Sequence, residues 1–438
     1  MIPDTRLKSQ QEILTKLGIE ALNPMQEEAL LGIQNSSDVV LLSPTGTGKT
    51  LAFLLPIIEA MDSKSADVQA LILVPSRELA IQIEQVLRDM GSGYKANAVY
   101  GGRPIAKDKD ELKHAPAILI GTPGRVADHF RRGTVFTNKI KMLVLDEFDK
   151  SLEVGFEEDM KEIISYLSRP EKLILTSATQ GVKIPDFIGI SKPLIIDYLQ
   201  ESNENLNIKT ILSPSKDKLE TLYQALCTLG NKPGIIFCNF KDSIDRVSSF
   251  LESKNVSHGC FHGGMEQKDR ERVLIKFRNG TLQLIVATDL AARGLDVPEI
   301  KFIIHYHLPS KKEEFIHRNG RTARMHREGT AYVLQGAGEI LPDFIGAPDI
   351  FELNESAVPD APEWSTLFVS GGRGDKISKS DIAGLFCKQG KLGKDELGVI
   401  ELKQDCAFVA VKKSKINQLL TFVDNTKLKT KKVRVYEV

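Results

Sequence analysis

Short unbroken runs of aliphatic residues, each ending in a polar or glycine turn, constrain this chain most. A first series comprises DVVLLS (38–43), ALILVPS (70–76), AILIGT (117–122), MLVLDE (142–147) and KLILTSAT (172–179). A second comprises GIIFCN (234–239), QLIVATD (283–289) and FIIHYHL (302–308). Runs without polar alternation suit strands buried on both faces, the condition of a parallel sheet covered by helices. Intervening stretches such as FEEDMKEIISYL (156–167) supply the helical pattern. Since 438 residues exceed one ordinary core, the two series predict two α/β parallel-sheet domains, 1–204 and 205–345. The polar stretch LQESNENLNIKT (199–210) is expected to be the hinge between them. The halves look alike in pattern, without a tandem repeat.

A second break follows. Residues 346–363, with Pro348, Pro359 and Pro362, read as a linker. Beyond it, TLFVSGG (366–372), GVIEL (398–402), CAFVAV (406–411) and KKVRVYEV (431–438) look like strands, with a helical SDIAGLFCKQ (380–389) between the first two. That order predicts a small α+β domain over 364–438.

Lysines and arginines number 58, as do aspartates and glutamates, so the formal net charge is zero. The balance hides a split. Residues 364–438 hold fifteen basic and eight acidic residues, a net of +7, against 43 and 50 in the remainder, a net of −7. A basic strand-rich module behind a linker predicts an RNA-binding appendage; a solvated structural cap is the competing reading. No run reaches the ~18 apolar residues of a membrane span. The five cysteines (Cys227, Cys238, Cys260, Cys387, Cys406) are scattered and never in CxxC spacing. A disulfide framework or zinc site is not expected, and a reducing cytoplasm fits.

After the first run comes Ser43-Pro44-Thr45-Gly46-Thr47-Gly48-Lys49-Thr50, then the helical LAFLLPIIEAM. Strand, glycine-containing loop, Lys-Thr and helix is the context of a phosphate loop, although the strict pattern has glycine where Ser43 stands. Backbone amides at the helix start favour an anion, Lys49 adds a point charge, and the Thr50 hydroxyl can ligate magnesium. The competing reading is a loop that only starts a helix. Asp146 and Glu147 end the run KMLVL at the carboxyl edge of the predicted sheet. Asp146 suits a magnesium ligand, and Glu147 suits the positioning and deprotonation of attacking water.

Nearly every predicted strand ends in such a signature. The others are Pro75-Ser76-Arg77-Glu78-Leu79, Thr122-Pro123-Gly124-Arg125, Ser177-Ala178-Thr179, Ala287-Thr288-Asp289 leading to Arg293-Gly294-Leu295-Asp296, and His317-Arg318-Asn319-Gly320-Arg321-Thr322-Ala323-Arg324. In this order and spacing they resemble the DEAD-box RNA helicases over about residues 10 to 335. The resemblance implies two RecA-like domains that close on ATP and single-stranded RNA and unwind short duplexes locally. It implies that Gln26 reads adenine, that Asp296 contacts the ribose, and that Arg321 and Arg324 are arginine fingers for the γ-phosphate. His317, Arg321 and Arg324 fall at i, i+4 and i+7, one face if the segment is helical, so a cationic stripe facing water, anion or partner is expected. The resemblance further implies RNA contact from Arg77, Gly101, Gly102, Thr122, Gly124, Arg125, Gln267, Arg270 and Thr288. Ser177 and Thr179, with Asp149 and His317, are implied to couple ATP state to strand separation.

The chain departs from the family pattern in three places. Phe148 gives DEFD in place of DEAD and is expected to add bulk beside Ser177–Thr179. Ser9 stands where the family carries an adenine-stacking phenylalanine. Asn319 and Ala323 replace a commoner isoleucine and glycine. In the C-terminal segment, Gly371-Gly372-Arg373-Gly374-Asp375-Lys376-Ile377, Asp381-Ile382, Gly398-Val399-Ile400 and Phe408-Val409-Ala410-Val411 resemble the RNA-binding domain of DbpA-type helicases. The likeness implies an RRM-like fold, RNA contact at Arg373 and Lys376, and targeting to structured ribosomal RNA and pre-ribosomal particles of the large subunit. Phe368 and Phe408 are candidate stacking faces, core packing being the alternative. The expectation is a cytoplasmic, monomeric ATP- and magnesium-dependent RNA helicase. The alternative is an ATP-gated RNA clamp, which Phe148 keeps open.

Overall fold

The computed structural model describes residues 7–153, 155–179, 183–199, 206–289, 300–322, 328–354 and 357–438. Two compact units divide the chain, changing over near residue 204.

The first unit opens with α1 (Gln10–Leu17) and α2 (Pro24–Asn35). It continues through β1 (Asp38–Leu42), α3 (Lys49–Ala60), β2 (Ala70–Leu73), α4 (Arg77–Met90), β3 (Ala96–Val99), α5 (Ile105–Leu112), β4 (Ile118–Gly121) and α6 (Pro123–Arg131). β5 (Met142–Leu145), α7 (Phe148–Glu153), α8 (Glu157–Tyr166), β6 (Lys172–Ser177) and β7 (Leu194–Asp197) complete it. The strands form one parallel sheet in the order β3-β4-β2-β5-β6-β1-β7. Alternate residues of each strand feed different cores. Val39, Leu41, Ile72, Ile120 and Val144 join one apolar cluster; Val40, Leu71, Leu73, Leu119 and Leu145 join the other. This two-sided burial is why the runs are uninterrupted. Each such side chain contributes roughly 1.5–3 kcal/mol on leaving water.

The second unit repeats the design. β8 (Leu206–Leu212), α9 (Leu219–Leu229), β9 (Gly234–Phe237), α10 (Lys241–Ser253), β10 (Gly259–Phe261), α11 (Gln267–Arg278) and β11 (Leu284–Ala287) come first. β12 (Phe302–His305), a helix at Lys312–Asn319, β13 (Gly329–Gln335) and β14 (Asp349–Ile350) follow. The order β10-β11-β9-β12-β13-β8-β14 is that of the first sheet with every index raised by seven. Two segments differ from expectation. Residues 206–210 of the stretch read as a hinge belong to β8, which pairs along its whole length with β13. Asp349–Ile350, inside the stretch read as a linker, extends the sheet by pairing with β8.

The C-terminal part is βαββαβ: β15 (Trp364–Val369), a helix at Lys379–Gly384, β16 (Leu397–Leu402), β17 (Ala407–Lys412), a helix at Ile416–Val423, the hairpin β18 (Thr426–Leu428) and β19 (Lys431–Val433), and β20 (Val435–Glu437). β16-β17-β15-β20 is an antiparallel sheet with the split-βαβ order of an RRM-like fold. KKVRVYEV is thus two strands in two sheets, broken at Arg434. The helices cover one sheet face through Leu367, Val369, Val409, Val411, Phe386 and Leu419.

Candidate active site

Buried β1 delivers the chain into the loop 43–48, and α3 begins at Lys49. Gly46 and Gly48 both take φ +87°, where a β-carbon is strained. A side chain at Gly48 would also strike the Gln26 amide. Ser43 has no positive φ, so the glycine of the strict pattern is not required there. Its hydroxyl pairs with Thr47 Oγ1 at 2.7 Å, and Thr47 Oγ1 also donates to the Pro44 carbonyl at 2.9 Å. Lys49 Nζ donates to the carbonyls of Ser43 (2.5 Å) and Pro44 (2.7 Å), folding back over the loop. Thr45 Oγ1 is buried without a hydrogen-bond partner among the described residues, a polar orphan that phosphate oxygens would satisfy.

The start of α2 clasps this loop. Asn23 and Gln26 form a capping box, and their remaining amide groups reach outward. Asn23 Nδ2 donates to the Thr47 carbonyl at 3.0 Å, and Gln26 Nε2 to that of Gly48 at 3.2 Å. Ser9 is the N-cap of α1, in a capping box with Glu12, and brings no ring to the site.

Asp146 and Glu147 follow β5, with β6 between them and β1. β6 links the two. Ser43 N donates to the Ser177 carbonyl at 3.1 Å, Thr176 Oγ1 donates to the Asp146 carboxylate, and Glu147 N donates to Thr176 Oγ1 at 3.1 Å. Glu147 takes φ +48°, a left-handed turn that a non-glycine residue adopts only at a cost. Burial, then the neighbouring Glu147, pushes the Asp146 carboxyl up to about 6; the Thr176 bond and Lys49 oppose the shift. A buried carboxylate pair fits a divalent cation, with Asp146 and Thr50 as ligand candidates. Thr179 Oγ1 donates to Asp149 at 3.0 Å, and Thr179 N to Ser177 Oγ at 3.0 Å. Phe148 is 2% exposed and belongs to the apolar cluster of Leu145, Met160, Ile163 and Leu175. Its ring is thus buried in the core with Leu175 of β6, the strand that ends at Ser177.

The remaining first-unit candidates lie on the other half of the same sheet edge, after β2, β3 and β4. Arg77 starts α4 behind the N-cap Ser76 and lies against Gly102 (φ +85°), where a β-carbon would meet its guanidinium. Thr122 caps α6; a β-carbon at Gly124 would stand 3.2 Å from the Asp159 carboxylate. Arg125 Nε donates to the Tyr100 carbonyl at 3.0 Å. The second unit uses the equivalent edge. Thr288 follows β11, Gln267 and Arg270 open α11 behind β10, and Arg270 stacks over Phe261 at 4.9 Å.

The expected cationic stripe is corrected. The helix ends at Asn319, Arg321 sits in the turn beyond it, and His317 and Arg321 are both buried, 7% and 6% exposed. Arg324 and Asp296 lie outside the described residues.

In the C-terminal sheet, Phe368 and Phe408 face each other across β15 and β17 with ring centres 5.5 Å apart, and Tyr436 joins at 5.0 Å. The part of that face around Thr366 and Glu401 is covered by the end of α11, while Tyr436 stays exposed and Phe368 half-buried. Arg278 grips Glu401 in two bonds of 2.5 and 3.0 Å, and Asn279 and Thr281 reach Thr366 at 3.2 and 2.7 Å. Thr366 is fully buried and Phe408 is 7% exposed, so Phe408 is packing, not an open stacking face. Arg373 opens and Lys376 caps a single 3₁₀ turn beside the basic hairpin, where Lys429 reaches the Lys376 carbonyl and Lys431 pairs with Asp375 at 2.8 Å.

Residues 23–187 match the DEAD/DEAH box helicase family, 217–326 the helicase conserved C-terminal domain, and 366–437 the DbpA RNA binding domain. The ATP-dependent RNA helicase DbpA of Bacillus subtilis is 30% identical, with 96% of each chain covered. The chain belongs to the DEAD-box RNA helicases of the DbpA type. The Escherichia coli DbpA is 31% identical over 96% of this helicase and 95% of that protein. Among solved structures, S. cerevisiae Dbp5 bound to RNA and ADP BeF3 superimposes with a TM-score of 0.67 at 26% identity, covering 78% of this chain and 90% of that one. The helicase is accordingly an enzyme that couples ATP hydrolysis to work on RNA.

One part of the helicase escaped the sequence reading. Arg318, 1% exposed, grips Asp289 with Nε and Nη2 at 2.6 Å each, and donates to Asn239 Oδ1 at 2.8 Å and the His307 carbonyl at 2.7 Å. Burial, then the Arg318 charge, pushes His305 down to about 3, so its ring is neutral beside the cation. The cluster ties the ends of β9, β11 and β12 to the helix carrying His317. The available signal was Asp289 and Arg318 inside two strings already singled out.

Proposed function

We propose that this helicase hydrolyses ATP to open short RNA duplexes locally, and that its C-terminal domain directs it to structured ribosomal RNA during large-subunit assembly. The observation that carries the targeting is the DbpA-like domain seated on α11, the helix whose first turn holds Gln267 and Arg270. Seating a basic module there supports a tether that raises the local concentration of one RNA at the motor.

In the chemical step, the amides of Thr45–Gly48 and Lys49 hold the phosphates, with Gln26 against adenine and Asp296 against ribose. Asp146 and Thr50 would hold magnesium, which would supply positive charge against the phosphates. Glu147 orients water and accepts its proton; Arg321 and Arg324 offset the charge that develops at phosphorus. Ser177 and Thr179, tied to Asp149, relay the ATP state to the RNA edge, with His317 serving the same coupling. Arg77, Gly101, Gly102, Thr122, Gly124, Arg125, Gln267, Arg270 and Thr288 hold the RNA backbone, so motor binding is largely independent of base sequence. Arg373 and Lys376 contact the targeting RNA. The reading includes a monomer in the cytoplasm; five unpaired thiols support the compartment. The alternative is an ATP-gated RNA clamp with little true unwinding, and duplex release separates the two.

ATPase rate across a panel of RNAs tests the proposal, with large-subunit ribosomal fragments beside unstructured RNA, and Glu147→Gln as control. One structured fragment should stimulate far above the rest, and Glu147→Gln should lower turnover by about 10²-fold or more. Equal stimulation by every RNA overturns the targeting. Steady hydrolysis without release of a short duplex overturns the unwinding.

A further inference from the structure

Asp108 on α5 is completely buried, yet three basic side chains converge on it. Arg103 Nε lies against Oδ1 as an ion pair without hydrogen-bond geometry; Arg125 Nε and His129 Nε2 approach Oδ2 at 3.3 and 3.1 Å. Each of these groups also grips a neighbouring segment. Arg125 donates to the carbonyls of Tyr100 (3.0 Å) and Arg103. Arg103 donates to the Ala98 carbonyl at 3.0 Å and to Glu111 at 2.8 Å, and its guanidinium lies over the Tyr100 ring at 4.8 Å. His129 Nδ1 meets Thr134 Oγ1 at 2.7 Å.

The groups so joined come from two loops that leave adjacent strands. Tyr100 and Arg103 flank Gly101-Gly102 after β3; Arg125 and His129 belong to the Thr122–Arg125 turn and its helix after β4. A buried ion cluster is a poor stabiliser, since desolvation consumes most of the attraction, but it dictates geometry strongly because no member can move alone. Contacts to an RNA backbone need that geometry, because successive phosphates sit at a fixed spacing and both loops must meet them together.

We infer that Asp108 is a positioning residue for RNA, locking the Gly101-Gly102 loop and the first turn of α6, Thr122–Arg125, at one separation without touching the strand. The inference rests on the proposed RNA role of those two segments. It requires that loss of the carboxylate charge weaken RNA more than ATP, whose loop lies beyond β2, β5 and β6 on the same sheet edge.

The test is Asp108→Asn, which keeps the shape and removes the charge, in the full chain, with Arg125→Ala alongside. The RNA concentration giving half-maximal ATPase stimulation should rise about tenfold, the loss of one charge-assisted contact. Half-saturating ATP and the maximal rate should stay within about twofold of the parent in the same assay. If Arg125→Ala leaves RNA half-saturation unchanged, the RNA role of the loops fails. If Arg125→Ala raises it and Asp108→Asn does not, the positioning role fails. Should melting show Asp108→Asn poorly folded, Arg103→Lys, which keeps both charges and loses the guanidinium fork, must give the same selective rise. RNA and ATP half-saturation rising together in both variants overturns the inference.

Discussion

Asp146 shows how one residue's surroundings set a pH requirement. Its folded-state value, about 6, lies above the ordinary aspartate value of 3.8 because burial and Glu147 disfavour the charge. Between those values the folded chain holds a proton that the unfolded chain has released. The resulting stabilisation is fully present below about pH 4 and lost as pH rises through about 6. Chemistry runs the other way, since a magnesium ligand must be ionised. The kcat/KM for ATP, measured at saturating RNA and fixed magnesium, should therefore fall about tenfold per unit below roughly pH 6. A profile flat to pH 5 would show that Asp146 stays ionised throughout. Ser43 and Phe148, both departures from a family pattern, are explained at this scale by backbone and burial. Ser43 needs no positive φ, and Phe148 fills the core.

At the scale of elements, α11 does two jobs. Its first turn carries Gln267 and Arg270, and its last meets the open face of the C-terminal sheet. Trp364, the only tryptophan in the sequence, lies against Gly280 just beyond that helix. Its emission is thus a direct report on the seat. Arg278→Glu or Glu401→Arg alone should shift Trp364 fluorescence toward solvent, and the double reversal should restore it. The coupling in a double-mutant cycle should be roughly 1–2 kcal/mol, as for a half-buried bidentate pair. Additive effects with no restoration would mean that the ion pair does not hold the seat.

For the whole molecule, zero net charge is a cancellation between an acidic motor and a basic appendage. Several appendage cations are already matched, Lys415 by Glu396, Lys429 by Asp381 and Arg434 by Asp424, but the excess of +7 survives such pairing. Nucleotide-free RNA binding by the full chain should fall more steeply with salt than binding by a chain ending at residue 363. The logarithmic slopes should differ by at least about 2, since each neutralised phosphate contributes roughly 0.7–0.9. Parallel slopes would place the long-range electrostatics in the motor.

What could be read before any coordinates shares one physical property: it is local. Strands buried on both faces must be written as unbroken apolar strings, and a loop that wraps phosphate with its own amides must be contiguous. The runs 38–43 and 142–147, the loop 43–50 and the Asp146-Glu147 pair were therefore legible in line. β3 (ANAV) and β10 (GCF) were not, because a polar or glycine residue breaks the run and only sheet pairing makes them strands. Arg318 with Asp289 and Asn239, Asp108 with Arg103 and Arg125, and the covered face of Phe408 and Thr366 were decided by tertiary structure alone. In a string of letters a charge reads as solvated and a strand aromatic as exposed. Only the packing of strands and helices, which brings together residues as far apart as 239 and 318 or 278 and 401, shows which charges are buried against one another and which part of a sheet face is already taken.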